Sequence, residues 1–224
     1  MAFSHEQLNG QTESARQVRE RLGSTTLLLM LICTWAVGVG VGVHWLWSYA
    51  QVPGSQGELS VWPTASQIEP TKNQPMLLMF AHPRCPCTRA SIRELERLMA
   101  KFPGQAATYL VFTEPDGLAD DWSWTQLEIG NLPGIRVLDD PGGREAKLFA
   151  AQTSGLTLLF SSQGELLFQG GITASRGHEG ANDGIAALKR LINNQNSPVE
   201  RTPVFGCPLQ SPTFVALGNP IDVE

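Results

Sequence analysis

Residues 76–91 read MLLMFAHPRCPCTRAS, and they join an apolar run to the start of an amphipathic pattern. The run 76–80 is short and continuous, as in a buried β-strand. Beyond the stretch, apolar residues recur at helical spacing and stop before Pro103-Gly104. They are Ile92, Leu95, Leu98, Met99 and Phe102. The stretch therefore predicts a buried strand that leads, through a short turn containing two cysteines, into a helix.

Residues 108–193 alternate predicted strands and helices. Strands are predicted at 108–113, 135–138, 157–160 and 166–169, and the last two form a hairpin. Helices are predicted at 122–127, 146–151 and 184–193. This order indicates an α/β domain over residues 76–194.

Cys85 and Cys87 lie at the junction between the first strand and its helix. Because proline is favoured at the first helical position, Pro86 places Cys85 at the N-cap and Cys87 in the first turn. The partial positive charge of a helix N-terminus stabilises a thiolate and lowers its pKa. The pair is therefore predicted to be reactive, with Cys85 as the more reactive and more accessible thiol.

The single residue between the cysteines limits the bonds that they form. Residues i and i+2 of a regular helix point to nearly opposite sides. A disulfide needs Cβ atoms about 3.5–4.5 Å apart, so a Cys85–Cys87 bond forms only if Cys85 is non-helical or the turn distorts. The pair is then either a strained, oxidising disulfide or a metal clamp.

Three other residues are candidates for the same site. His82 precedes the cysteines and is predicted to tune the Cys85 thiolate or to bind a metal. His178 lies in the loop that leaves the last strand, and its alternative interpretation is a surface histidine. Cys207 lies in the C-terminal tail, where it is predicted to pair with Cys85 or Cys87, to complete a metal site, or to stay unpaired.

Two motifs resemble those of a known superfamily. The strand ending in Phe80, the cysteine pair, the helix and the later GLTLLF at 155–160 resemble the thioredoxin superfamily. FAHPRCPCTRAS at 80–91 and GGITASRGHEG at 170–180 resemble the membrane-anchored thioredoxin-like proteins called RedB. The resemblance covers residues 76–194. It implies a thioredoxin-like fold, with a central mixed sheet flanked by helices, and thiol–disulfide chemistry that requires no cofactor.

The sequence departs from that superfamily at two points. One residue separates the cysteines, where thioredoxins have two. Thioredoxins also have a cis-proline before the strand that Thr157 begins, where it positions the substrate backbone and keeps metals off the cysteines; this chain has Leu156. Since a non-proline cis bond costs about 2.5–4 kcal/mol, we expect a trans bond here and no substrate-pairing edge.

Residues 25–49 read TTLLLMLICTWAVGVGVGVHWLWSY, and about 20 apolar residues suffice to cross a bilayer. Arg16, Arg19 and Arg21 precede this segment, and no Lys or Arg follows it before Lys72. The positive-inside rule predicts a single-pass inner-membrane anchor, with residues 1–24 in the cytoplasm and the domain in the periplasm. The alternative is a signal peptide cleaved near residues 48–50.

The segments that flank the domain are predicted to be irregular. Residues 50–75 are rich in Pro, Gly, Ser, Thr and Gln, which is typical of a linker. Residues 195–224 form a proline-rich tail. The net charge of −5 argues against a nucleic-acid partner, because phosphate binding needs a clustered basic surface.

The leading hypothesis is a membrane-anchored, extracytoplasmic thiol–disulfide oxidoreductase that acts on protein thiols or disulfides through Cys85 and Cys87. The alternative is a copper-binding or copper-delivering protein, because thiolate and imidazole ligands suit copper. Its ligands would be Cys85, Cys87, Cys207 and either His82 or His178. A third hypothesis is a redox-inert assembly module. The substrate, the direction of electron flow and the oligomeric state are open at this point.

Overall fold

The computed structural model describes residues 3–114 and 132–209. The helix predicted at 122–127 lies outside these ranges. The chain divides into two compact units, Met1–Tyr49 and Ala50–Glu224.

The described residues of the first unit all belong to helix α1, Phe3–Gln51. Within it, Gly23–Gln51 has a mean hydropathy of 2.2 and is long and apolar enough to cross a membrane. This finding rests on length and composition, and it confirms the predicted apolar N-terminal helix.

The remaining helices and strands of the described residues belong to the second unit. The strands are β1 (Met76–Ala81), β2 (Ala107–Glu114), β3 (Ile135–Pro141), β4 (Leu156–Phe160) and β5 (Leu166–Gly170). The helices are α2 (Thr88–Lys101), α3 (Arg144–Leu148) and α4 (Asp183–Ile192). Each corresponds to an element predicted from the sequence, with its ends moved by a few residues.

The strands form one five-stranded mixed sheet in the order β3-β2-β1-β4-β5. β1 and β2 are parallel, as are β2 and β3, whereas β4 is antiparallel to both of its neighbours. Helix α2 makes the crossover between β1 and β2, since parallel neighbours need a long connection.

β1 is apolar throughout because it contributes to a core on each face of the sheet. Leu77 and Met79 face one core together with residues of α2 and α4. Leu78 and Phe80 face the other core, which includes Phe149 next to α3. The sheet is therefore covered on both faces.

The segment predicted as a linker, residues 50–75, packs on this second core. The Trp62 ring meets the rings of Phe149 and Phe160 edge-on, with centroid distances of 5.0 and 4.8 Å. Ile68 is 5% exposed. The structure differs from the expectation because the short helix α3 leaves apolar surface that other segments cover.

The first part of the C-terminal tail packs on the same core. Val204 and Leu209 are fully buried, and the Gly54 N–H donates to the Val204 carbonyl over 2.8 Å. Residues 204–209 are therefore held against the domain.

Candidate active site: three cysteines at the start of α2

The connection from β1 to α2 consists of two consecutive turns. The Cys85 N–H donates to the His82 carbonyl, and the Thr88 N–H donates to the Cys85 carbonyl, each over 3.0 Å. The first α-helical bond runs from Ser91 to the Cys87 carbonyl, so Cys87 is the N-cap. The prediction that Cys85 is the N-cap is wrong. The Thr88 N–H donates to the carbonyl three residues earlier, as in a 3₁₀ turn, and the α-helix begins only after this turn.

Cys85 is 1% exposed, whereas Cys87 and Cys207 are half-buried. The premise that Cys85 is the more accessible thiol is therefore wrong. Burial alone disfavours a thiolate. A reactive Cys85 needs stabilising partners, and its surroundings contain several.

Cys207 is the most important of these partners. Its backbone N–H donates to the Cys85 sulfur over 3.4 Å. The pKa of the Cys85 thiol is lowered strongly, mainly because the Cys207 thiol hydrogen-bonds to it. The Cys87 thiol, the Cys207 N–H and the Thr88 hydroxyl act in the same direction, and burial opposes them.

The two partner thiols respond in the opposite sense. The pKa of Cys207 is raised, first by its hydrogen bond to Cys85 and then by burial and the negative charge on Cys85. The pKa of Cys87 is raised by the same three causes. The site therefore favours one thiolate, at Cys85, with two protonated thiols as its donors.

A small hydroxyl network fixes the turn that carries Cys85. The Ser154 hydroxyl accepts from the His82 N–H over 2.9 Å and lies 2.8 Å from the Thr88 hydroxyl oxygen. The Thr88 hydroxyl also donates to the His82 carbonyl over 3.1 Å. Sequence analysis missed Thr88 and Ser154, although Thr88 directly follows the cysteine pair.

His82 is 6% exposed and supports the turn. Its Nδ1 accepts from the Arg84 N–H over 3.2 Å, which requires an unprotonated Nδ1. The pKa of His82 is lowered, mainly by burial, while the charge of Cys85 raises it. His82 is thus a neutral neighbour of the Cys85 thiolate.

His178 is exposed, and its Nδ1 lies 3.1 Å from the Arg176 carbonyl oxygen. The described contacts do not bring it to a cysteine. Within residues 3–114 and 132–209, no group of three or more His, Cys, Asp or Glu side chains is arranged to hold a metal ion. The predicted copper site gains no support from this part of the chain.

Arg176, in the loop that leaves the last strand, is a further residue of the site. Its guanidinium donates to the carbonyl oxygens of Gly206 and Val52. Its positive charge also lowers the pKa of Cys87 and of Cys207, against the stronger raising effects. The loop from the last strand therefore does reach the cysteines, but through Arg176 and not through His178.

The peptide bond before Leu156 is trans, as expected, because no described peptide bond is cis. The backbone just before it, at residues 152–154, pairs with another segment of the chain. The Ser154 N–H donates to the Cys207 carbonyl over 2.8 Å, and the Leu209 N–H donates to the Gln152 carbonyl over 2.9 Å. The chain's own tail occupies the edge.

No family model matches the chain, and no curated protein matches it in sequence. Solved structures do match. A hypothetical protein from Sinorhizobium meliloti has 19% identity and a TM-score of 0.53, over 70% of this chain and 93% of that one. An uncharacterised protein from Geobacillus kaustophilus has 18% identity and a TM-score of 0.53, over 72% and 94% of the two chains.

A secreted disulfide oxidoreductase of Mycobacterium tuberculosis, described as homologous to DsbE of Escherichia coli, also resembles the chain. It has 13% identity and a TM-score of 0.42, over 66% of this chain and 98% of that one. The likenesses concern the fold alone. The five-stranded mixed sheet flanked by helices confirms the predicted α/β architecture.

Proposed function

We propose that this chain is a membrane-anchored, extracytoplasmic thiol–disulfide oxidoreductase of the RedB-like type, with Cys85 as its nucleophile. The main support is the set of hydrogen bonds that the Cys85 sulfur accepts. The Cys207 N–H donates to it over 3.4 Å, and the Cys207 and Cys87 thiols lower the pKa of its thiol. The thiolate is the attacking species in thiol–disulfide exchange. A buried thiolate that is held by two other thiols is suited to that reaction and has no evident structural purpose.

The proposed reaction needs no cofactor. The Cys85 thiolate attacks one sulfur of a protein disulfide, and a mixed disulfide forms while the other sulfur leaves as a thiolate. A second thiol of the site then displaces the substrate from Cys85. Protein thiols and disulfides are the substrate class, and the same steps run in either direction.

We expect the purified full chain, in detergent micelles, to catalyse exchange and Cys85→Ser to lose it. Two assays cover both directions: reduction of a dye-labelled peptide disulfide by dithiothreitol, and oxidative refolding of a reduced protein in a glutathione buffer. Cys85→Ser should fall to the rate without protein, because it has no nucleophile. Cys33→Ser, which removes an exposed thiol in α1, is the matched control and should behave as the parent chain. Equal rates for the parent and Cys85→Ser in both assays would overturn the proposal.

The proposed location rests on the segment Gly23–Gln51 and the arginines before it. Positive charge is retained on the cytoplasmic side during insertion. We expect alkaline phosphatase fused after Glu224 to be active and β-galactosidase at the same place to be inactive, since each enzyme works on one side of the membrane. Replacing Arg16, Arg19 and Arg21 with Gln should lower the phosphatase activity. An active β-galactosidase fusion of the parent sequence would refute this orientation.

A further inference from the structure

Residues 204–209, here called the C-terminal strap, lie against the loop before β4 like an added strand. Thr153 and Pro208 form an antiparallel bridge. On either side of it, the Ser154 N–H bonds to the Cys207 carbonyl and the Leu209 N–H bonds to the Gln152 carbonyl. Main-chain pairing of this kind is how extended peptides bind a sheet edge.

Gly206 allows the strap to lie directly against this loop because it has no side chain. A Cβ built on Gly206 would lie 1.9 Å from the Ser154 carbonyl oxygen, so any side chain would push the strap away. The Gly206 carbonyl in turn accepts from the Arg176 guanidinium. The next residue, Cys207, is thereby placed with its backbone N–H on the Cys85 sulfur, 3.4 Å away.

Cys87 is less well placed to bond with Cys85. It has helical backbone angles, φ −70° and ψ −24°, and it shares with Cys85 the turn closed by the Thr88 N–H. The Cys87 thiol donates to the Cys85 sulfur, but a disulfide between the two has to close across the single residue within that turn and distort it. Cys207 approaches from a separate segment and meets no such restriction.

We propose that Cys207, and not Cys87, is the disulfide partner of Cys85, so that the strap supplies the resolving thiol. This inference rests on the proposed function and refines it. The Cys85 thiolate opens a protein disulfide and forms a mixed disulfide with one of its sulfurs; the other sulfur leaves and takes up a proton. Cys207 then loses its proton to solvent, attacks the Cys85 sulfur and releases the second substrate thiolate.

The electrons balance in this sequence. The substrate disulfide gains two electrons and two protons and becomes two thiols, while Cys85 and Cys207 are oxidised to one disulfide. The strap also explains why Cys85 is 1% exposed. An incoming disulfide reaches Cys85 by local displacement of Cys207, while Val204 and Leu209 stay buried at the two ends of the strap.

Peptide mapping distinguishes the two disulfides directly. The purified full chain is oxidised with the dye-labelled peptide disulfide, its remaining thiols are blocked with N-ethylmaleimide, and it is cut with trypsin. Cleavage after Arg84, Arg89 and Arg201 places Cys85 and Cys87 in one peptide and Cys207 in the C-terminal peptide. We expect these two peptides to be cross-linked. An internal disulfide in the 85–89 peptide, with Cys207 alkylated, would overturn the inference and leave the proposed function intact.

Variants test the same point by trapping. Cys207→Ser should accumulate the mixed disulfide between Cys85 and the dye peptide about tenfold over the parent, because the resolving thiol is missing. Cys87→Ser should still give the cross-link between the 85–89 and C-terminal peptides. Trapping by Cys87→Ser alone would overturn the inference. Absence of any substrate adduct or turnover in the parent chain would overturn the proposed function, and the inference with it.

Gly206→Ala tests the placement of Cys207 while all thiols remain. Loss of positioning lowers the effective concentration of Cys207 at Cys85, and we expect the cross-link to form about tenfold more slowly. The matched control is Gly57→Ala, whose Cβ would lie 2.6 Å from the Ala150 carbonyl oxygen, at a contact without a cysteine. An equal loss of cross-linking in both variants would contradict the claim that the strap positions Cys207 at Cys85.

Discussion

Alkylation of Cys85 by iodoacetamide is expected to slow far less than that of an ordinary cysteine as the pH falls from neutral into the acidic range. An ordinary cysteine has a pKa near 8.5, so its rate falls about tenfold per pH unit, or about 1000-fold between pH 8 and pH 5. The pKa of Cys85 is lowered far below that value by the Cys207 and Cys87 thiols. Its thiolate fraction is therefore expected to fall far less over the same interval.

The measurement is mass mapping of the 85–89 peptide, with fragmentation to separate Cys85 from Cys87. Burial slows alkylation of Cys85 at every pH, so the shape of the pH profile is compared and not the absolute rate. Cys207→Ala removes the largest cause of the lowered pKa, and its profile should move towards that of an ordinary thiol. A tenfold loss per pH unit in the parent chain would contradict the assignment of the thiolate to Cys85.

The second large effect concerns stability. Phe149 is fully buried, and its ring lies 5.0 Å from Trp62, 5.5 Å from Phe80 and 6.1 Å from Phe160. We expect Phe149→Ala to lower the free energy of unfolding by about 3–5 kcal/mol, because the cavity removes the contacts of all three rings. Urea unfolding in detergent micelles, followed by tryptophan fluorescence, gives the value.

The matched control for this substitution is Val137→Ala on the edge strand β3. Val137 is 42% exposed, so its truncation should cost less than about 1 kcal/mol. Trypsin should also cut after Lys72 faster in Phe149→Ala, since Trp62 loses a ring against which its segment packs. A loss below about 1 kcal/mol for Phe149→Ala would show that residues 50–75 cover the core without stabilising it.

The regular elements were predictable because they follow from local periodicity. β1 is uniformly apolar since both of its faces are buried, and α2 repeats its apolar residues at helical spacing. The cysteine pair at their junction was predictable for the same reason, because it lies within a single continuous stretch. Helix α2 starts two residues later than predicted. The Thr88 N–H donates to the Cys85 carbonyl, three residues earlier, in place of an α-helical bond.

The site itself depended on contacts between residues that are distant in the sequence. Cys85 and Cys207 are 122 positions apart, and no local pattern relates them. They meet because Val204 and Leu209 complete the core beside β4 and because Gly206 permits backbone contact with Ser154. The sequence by itself determined a strand, a cysteine pair and a helix. The tertiary structure decided which thiol is buried and which thiols donate to it. The physical reason is that a pKa depends on every charge and hydrogen bond around a group, whichever part of the chain supplies them.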